Sequence, residues 1–116
     1  MSSTDHAASL PTTIFHILLS LADGERHGYA IKREVLERTR GKLKLGPGVL
    51  YGSINKLAER GWIEESGERP DPHLDDERRR YYRLTPAGRK AAQAEAARMR
   101  ELVELAAVRL RSPRHA

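Results

Sequence analysis

The chain contains no cysteine, which excludes disulfides, thiolate nucleophiles and cysteine-ligated metals together. Aromatic residues are scarce: one Trp, one Phe and four Tyr leave little from which to build an aromatic ligand pocket. Long apolar runs are missing too. The longest, from about Ile14 to Leu21, is interrupted by His16 and Ser20, far short of the roughly 20 apolar residues a membrane span needs. The N-terminus has an acid, Asp5, and no basic stretch before an apolar core, so no secretory signal is expected. These absences predict a soluble, cytoplasmic protein with no membrane partner. His6, His16, His27, His73 and His115 lie apart without metal-ligand spacing, and neither a glycine-rich phosphate loop nor a nucleophile motif is present. The expectation is therefore no catalytic residue, no metal, no cofactor and no enzyme activity.

What is present is charge. The 116 residues are 32% charged and 39% hydrophobic, with a net charge of +5, the composition of one small globular domain. A chain of this size buries a modest core, which a homodimer interface would help to complete. From Arg26 to Arg60 basic residues outnumber Glu34, Glu37 and Glu59; from Gly61 to Glu77 acids dominate; then Arg78, Arg79, Arg80, Arg83, Arg89 and Lys90 arrive with no acid among them. Two basic segments suit a polyanion partner if folding brings them together, and otherwise form a solvated surface.

Residues 1–9 are small and polar and read as a flexible tail. Pro11 opens a helix to about Ala22, with Ile14, Ile17, Leu18 and Leu21 as its apolar face. A second helix is expected from about Tyr29 to Thr39. Lys42-Leu-Lys-Leu45 alternates as a short extended connector. Pro47 suits the first position of a third helix. There Leu50, Ile54 and Leu57 share one face, while Gly48, Gly52, Asn55, Lys56 and Glu59 share the other, with Tyr51 on the flank. Gly61 is placed to end that helix in a left-handed cap. Two strands, Trp62–Ser66 and Arg79–Leu84, form a hairpin around an acidic, proline-containing loop. Thr85-Pro86 then caps a last helix running to Leu110, about 37 Å long at 1.5 Å per residue. In it Ala92, Ala96, Met99, Val103, Ala106 and Leu110 step by alternating fours and threes, with Leu102 and Leu105 widening the stripe. A partner's helix would cover that seam; packing onto the chain's own first helix is the alternative, and both can hold at once. Residues 112–116 read as a second tail.

Three helices, a two-stranded hairpin and a final helix make a mainly α winged helix-turn-helix domain over residues 10–85, with a dimerisation helix over 86–111. In that fold the third helix enters the DNA major groove. The basic segments would then meet on one surface around it.

The runs His27-Gly-Tyr-Ala-Ile31, Gly46-Pro-Gly-Val-Leu-Tyr51, Leu57-Ala-Glu-Arg-Gly-Trp-Ile63 and Arg80-Tyr-Tyr-Arg-Leu-Thr-Pro-Ala-Gly88 resemble PadR-type transcriptional regulators. The likeness spans about residues 10 to 90. It implies a homodimeric repressor binding a palindromic operator in double-stranded DNA, and dimerisation through the last helix. The short C-terminus looks like the smaller subgroup of the family. Three positions depart from its pattern: Gly46 stands where Ser is frequent, Val49 where Thr is common, and Gly52 at a variable place carries no side chain. Some members of the family answer to small aromatic effectors, for which the few aromatic residues here offer little.

The DNA-binding set expected on these grounds is Lys44, Pro47, Gly48, Tyr51, Gly52, Asn55, Lys56, Arg79 and Arg80. Asn55 would read adenine through its amide, the glycines would admit the backbone to the groove, and Tyr51, Lys44, Lys56, Arg79 and Arg80 would hold phosphates. Blander roles remain open. Tyr51 would simply pack at the helix edge, Lys56 would pair with Glu59, and the arginines would balance the acidic loop. The expected dimer set is Ala92, Ala96, Met99, Leu102, Val103, Ala106 and Leu110. A winged-helix module that binds another protein is the competing class of function.

Overall fold

Pro11 precedes the first helix, α1 (Thr12–Ser20), in the computed structural model, which describes residues 9–68 and 80–112. Ile14, Ile17 and Leu18 recur at helical spacing and are buried, as is Leu21 just beyond the end. The apolar spacing predicts a helix to Ala22, but the structure stops it at Ser20. The Leu21 and Ala22 N–H groups turn back three residues, to Leu18 O and Leu19 O at 3.1 Å each, which tightens and closes the last turn.

A two-residue strand, β1 (Arg26–His27), leads directly into α2 (Gly28–Arg38). The His27 Nδ1 accepts the Ala30 N–H at 3.0 Å, capping α2 with an imidazole in place of the usual Ser or Asp. Ile31 and Val35 face the core. Beyond the C-cap Thr39, Arg40 (φ 55°) and Gly41 (φ 80°) take the left-handed conformation. The Gly41 N–H bonds the Leu36 carbonyl at 2.8 Å, and Thr39 Oγ1 donates to Val35 O at 2.8 Å while accepting the Leu43 N–H at 3.0 Å. This turn sends Leu43 and Leu45 inward and leaves Lys42 and Lys44 exposed, the alternation the sequence implied.

The third helix, α3 (Pro47–Glu59), starts with Pro47 at its first turn and Gly46 as an N-cap that contributes no side-chain bond. Leu50, Ile54 and Leu57 are buried against α1 and α2. Burying each such side chain fully is worth about 1.5–3 kcal/mol. Gly61 (φ 76°) ends the helix, and the Trp62 N–H reaches back to Leu57 O at 3.0 Å.

β2 (Ile63–Glu68) and β3 (Arg80–Leu84) pair antiparallel, with Ile63 opposite Leu84, Glu64 opposite Arg83 and a bulge between Glu65 and Gly67. The sheet holds a third strand that the sequence did not announce. β1 lies on the other edge of β3, with Arg26 opposite Tyr82 and His27 opposite Tyr81, giving the order β1-β3-β2. Two residues are too few to show alternation, so β1 exists only through its pairing. The loop that carries Arg79 lies outside the described residues.

The last helix, α4 (Pro86–Arg109), is tied down at its start. Thr85 Oγ1 accepts the Gly88 N–H at 3.1 Å and donates to Gly61 O at 2.6 Å. Its first half packs on α1 and on the end of β3, where Gly88, Ala92 and Glu95 are buried. Glu95 accepts the Leu10 N–H at 3.3 Å and two bonds from Arg98 at 3.0 and 2.7 Å, so the buried carboxylate is fully engaged. Ala92 thus belongs to the core of its own chain and not to the free seam where the heptad placed it; α4 reaches that position while still crossing α1. Past Glu95 the apolar residues lose cover, with Met99 at 40%, Leu102 at 56% and Val103 at 66% exposure.

Candidate nucleic-acid interface

The outer face of α3 is built by subtraction. Gly48 and Gly52 sit one turn apart on the side opposite Leu50, Ile54 and Leu57, and a Cβ added to either would meet nothing within 4 Å. Gly46 before the helix is equally open. Asn55, Lys56 and Glu59 share this side and are exposed, as is Pro47. The helix therefore presents a shallow, bare N-terminal half followed by an amide and a cation. Among the described residues no ion pair joins Lys56 to Glu59.

Lys44 is exposed in the turn before α3, and Arg80 is exposed at the first residue of β3. Arg83, on the same strand, is engaged with Glu64 across the sheet at 2.7 Å. Arg60, beyond the end of α3, lies 5.1 Å over the Trp62 ring.

Tyr51 lies on the flank of α3 and takes, in this structure, the packing role left open beside phosphate binding. Its position, about 100° around the helix from Leu50, turns the ring toward the start of α2. The hydroxyl is buried there against Gly28, where an added Cβ would also stand 3.0 Å from Tyr51 Cζ. A buried hydroxyl does not reach a phosphate, so Tyr51 is a packing residue that uses the missing side chain of Gly28. The two residues are adjacent in neither sequence nor element, and only the fold brings them together.

Sequence reading also missed a polar network that joins α1, β1 and α2. Arg38 donates to Glu34 Oε1 at 2.7 Å, to the buried Ser20 Oγ at 3.1 Å and to His16 Nδ1 at 3.0 Å. Arg26 donates to Ser20 O at 2.7 Å and pairs with Glu34 at 3.0 Å. Glu34 and Arg38 lie one turn apart on α2, whereas Ser20 and His16 come to Arg38 from α1. Burial, and then the neighbouring Arg38 charge, hold the His16 pKa below its usual 6.5. Burial, and then Glu65, raise that of Tyr82.

A cleft of about 230 Å³ between α1 and α3, lined by Pro11, Ile14 and Val49 among others, falls below the range of ordinary small-molecule sites. Among the described residues no cluster of His, Asp or Glu could hold a metal ion, and no helix is long and apolar enough to cross a membrane.

A helix-turn-helix whose second helix is bare on its outer side, followed by a winged sheet, defines a winged-helix domain of the DNA-binding kind. The model of the PadR-like family of transcriptional regulators matches residues 17–94, and the chain belongs to that family, whose members are regulators of transcription and not enzymes. It is 36% identical over 87 residues to the transcriptional regulator Rv3488 of Mycobacterium tuberculosis, covering 75% of each chain. It is 40% identical over 86 residues to an uncharacterized 37.1 kDa protein in transposon TN4556 of Streptomyces fradiae, a match spanning 74% of this chain but 22% of that longer protein. The structure of Bacillus subtilis PadR in complex with operator DNA shares the fold, with a TM-score of 0.60 and 23% identity over 71% of this chain and 45% of that one.

Proposed function

We propose that this regulator is a homodimeric repressor that binds a palindromic operator through the outer face of α3. The observation that carries the reading is that face itself: open space over Gly48 and Gly52, with Asn55 and Lys56 exposed beside it, on a chain of the PadR-like family. Gly48 and Gly52 let the helix backbone sit deep in the groove, with Pro47 setting its entry. Asn55 bonds adenine in bidentate fashion, a contact worth about 1–3 kcal/mol of discrimination. Lys44, Lys56, Arg79 and Arg80 neutralise phosphates, which fixes register and makes affinity fall with salt. The far half of α4 joins the two subunits through Ala96, Met99, Leu102, Val103, Ala106 and Leu110, placing two copies of α3 about one DNA turn, roughly 34 Å, apart. That Bacillus subtilis PadR was crystallised with operator DNA supports operator DNA as the partner of this chain.

Selection of bound duplexes from a random pool tests the reading. The expected product is an inverted repeat whose affinity drops steeply between low and moderate salt. An Asn55→Ala protein that keeps full discrimination at every operator position would remove Asn55 from the reading role. Recovery of no duplex even at low salt would remove the DNA-binding reading as a whole.

A further inference from the structure

Large apolar side chains that the fold leaves exposed fall into an instructive pattern among the described residues. Most lie on the far half of α4, and Leu19 on α1 is only 37% exposed. Val49 stands apart from these, 55% exposed in the first turns of α3. Its neighbours Gly48 and Gly52 have no side chains, and a Cβ on either would meet open space. Val49 is therefore the one large apolar group projecting from an otherwise bare N-terminal half of the helix. One flank of the side chain borders the cleft with Pro11 and Ile14, which limits its freedom without covering it.

We infer that Val49 reads the 5-methyl group of a thymine in the major groove, a specificity contact that rests on the DNA-binding reading above. The major-groove edges of the bases are almost wholly hydrogen-bonding surface. The thymine methyl is the apolar exception, and side chains that end in methyl groups are its partners. A valine has no donor or acceptor to spend on a phosphate or a base edge, so contact with anything else in the groove would leave polar groups unmatched. The absent side chains at 48 and 52 let the α3 backbone descend far enough for a side chain as short as valine to touch a base. Val49 and Asn55 lie six residues apart, about one and two-thirds turns, so they would meet different base pairs, one through a methyl and one through an amide.

The test replaces thymine with deoxyuridine, which keeps all base pairing and lacks only the methyl, one position at a time in the selected operator. Full-length protein carrying Val49, Val49→Thr or Val49→Ser is then titrated against each duplex. For the unaltered protein one thymine per half-site should stand out, with binding about fourfold weaker after its replacement, the factor expected from removing a single buried methyl. Val49→Ser should bind thymine and deoxyuridine at that position equally, whereas Val49→Thr, which keeps one methyl, should retain part of the difference. Because the side chain is more than half exposed, both variants should match the parent in melting temperature. If the parent binds its operator but no deoxyuridine substitution matters, or if Val49→Ser keeps the full difference, the assignment of Val49 is wrong while the regulator stands. If the parent binds no duplex at all, the DNA-binding reading falls and this one with it.

Discussion

Gly88 has no side chain because the Trp62 carbonyl occupies the space one would need. A Cβ there would overlap the Trp62 oxygen and stand 2.8 Å from its carbonyl carbon and 3.0 Å from Leu84 Cδ1. The obstruction is backbone, and it sits where Thr85 N–H bonds the same carbonyl at 3.0 Å, so neither side can give way cheaply. Gly88→Ala should destabilise the domain by about 1–3 kcal/mol, the range for overpacking a filled site, and a lowered urea midpoint with an unchanged slope would show it. An unaltered midpoint would mean that the α4 start is looser than its contacts imply. His16 offers a different kind of prediction. Its Nδ1 accepts from Arg38, so the neutral ring fits the network and a protonated ring opposes it. In the unfolded chain His16 takes up a proton near 6.5, and in the folded chain only at lower pH. Between those points the unfolded state binds more protons, so stability declines as pH falls below about 6.5. His16→Gln should melt with less pH dependence across that window. Glu95, whose carboxylate is held below its usual 4.5 chiefly by the Arg98 bonds, adds its own loss only at more acid pH, so the two effects separate.

The helix α3 begins without a side-chain cap. Gly46 has extended backbone (φ −68°, ψ 163°) and open space where a Cβ would stand, which is the conformation a capping serine adopts. Gly46→Ser should therefore gain a few tenths of a kcal/mol, seen as a rise of about 1–2 °C in melting temperature. A fall would show that Gly46 is held by something other than its cap geometry. The same helix shows what the sequence makes legible. Its ends, its buried stripe and its bare face follow from Pro47, Gly61 and the spacing of Leu50, Ile54 and Leu57, because each depends on residues within a turn or two. The elements that escaped depend on partners distant in sequence. β1 is defined by pairing with a strand more than fifty residues on, and Tyr51 is turned inward by the absence of a side chain at Gly28. Ala92 obeys the heptad and still lies inside, because periodicity marks a face and does not say which neighbour covers it. For the interface the same limit holds: the exposed groups on α3 could be named from spacing, whereas the burial of the Tyr51 hydroxyl required the packed domain.

As a whole the molecule is longer than its domain. Its radius of gyration, 17.2 Å, exceeds the roughly 13 Å of a compact chain of this length. Over its first half α4 is a core helix, with Ala92 in the hydrophobic cluster and Glu95 holding the Leu10 backbone. Over its second half Leu102, Val103, Leu105, Val108 and Leu110 are each more than two-fifths exposed. A contiguous apolar stripe left open in this way is unfavourable for an isolated chain in water, and a second copy of the same stripe is a self-complementary cover. Val103 provides the sharpest test, being 66% exposed and therefore no part of the intrachain core. A Val103→Glu protein should keep the melting behaviour of its winged domain, since the core is left intact, yet sediment as a monomer where the proposed function expects the parent to sediment as a dimer. Uncoupling the two copies of α3 should also weaken operator binding by about 100-fold or more, because the second half-site no longer benefits from the first. If Val103→Glu remains dimeric and binds as the parent does, the subunits meet through some other surface, and the exposed half of α4 needs a different partner.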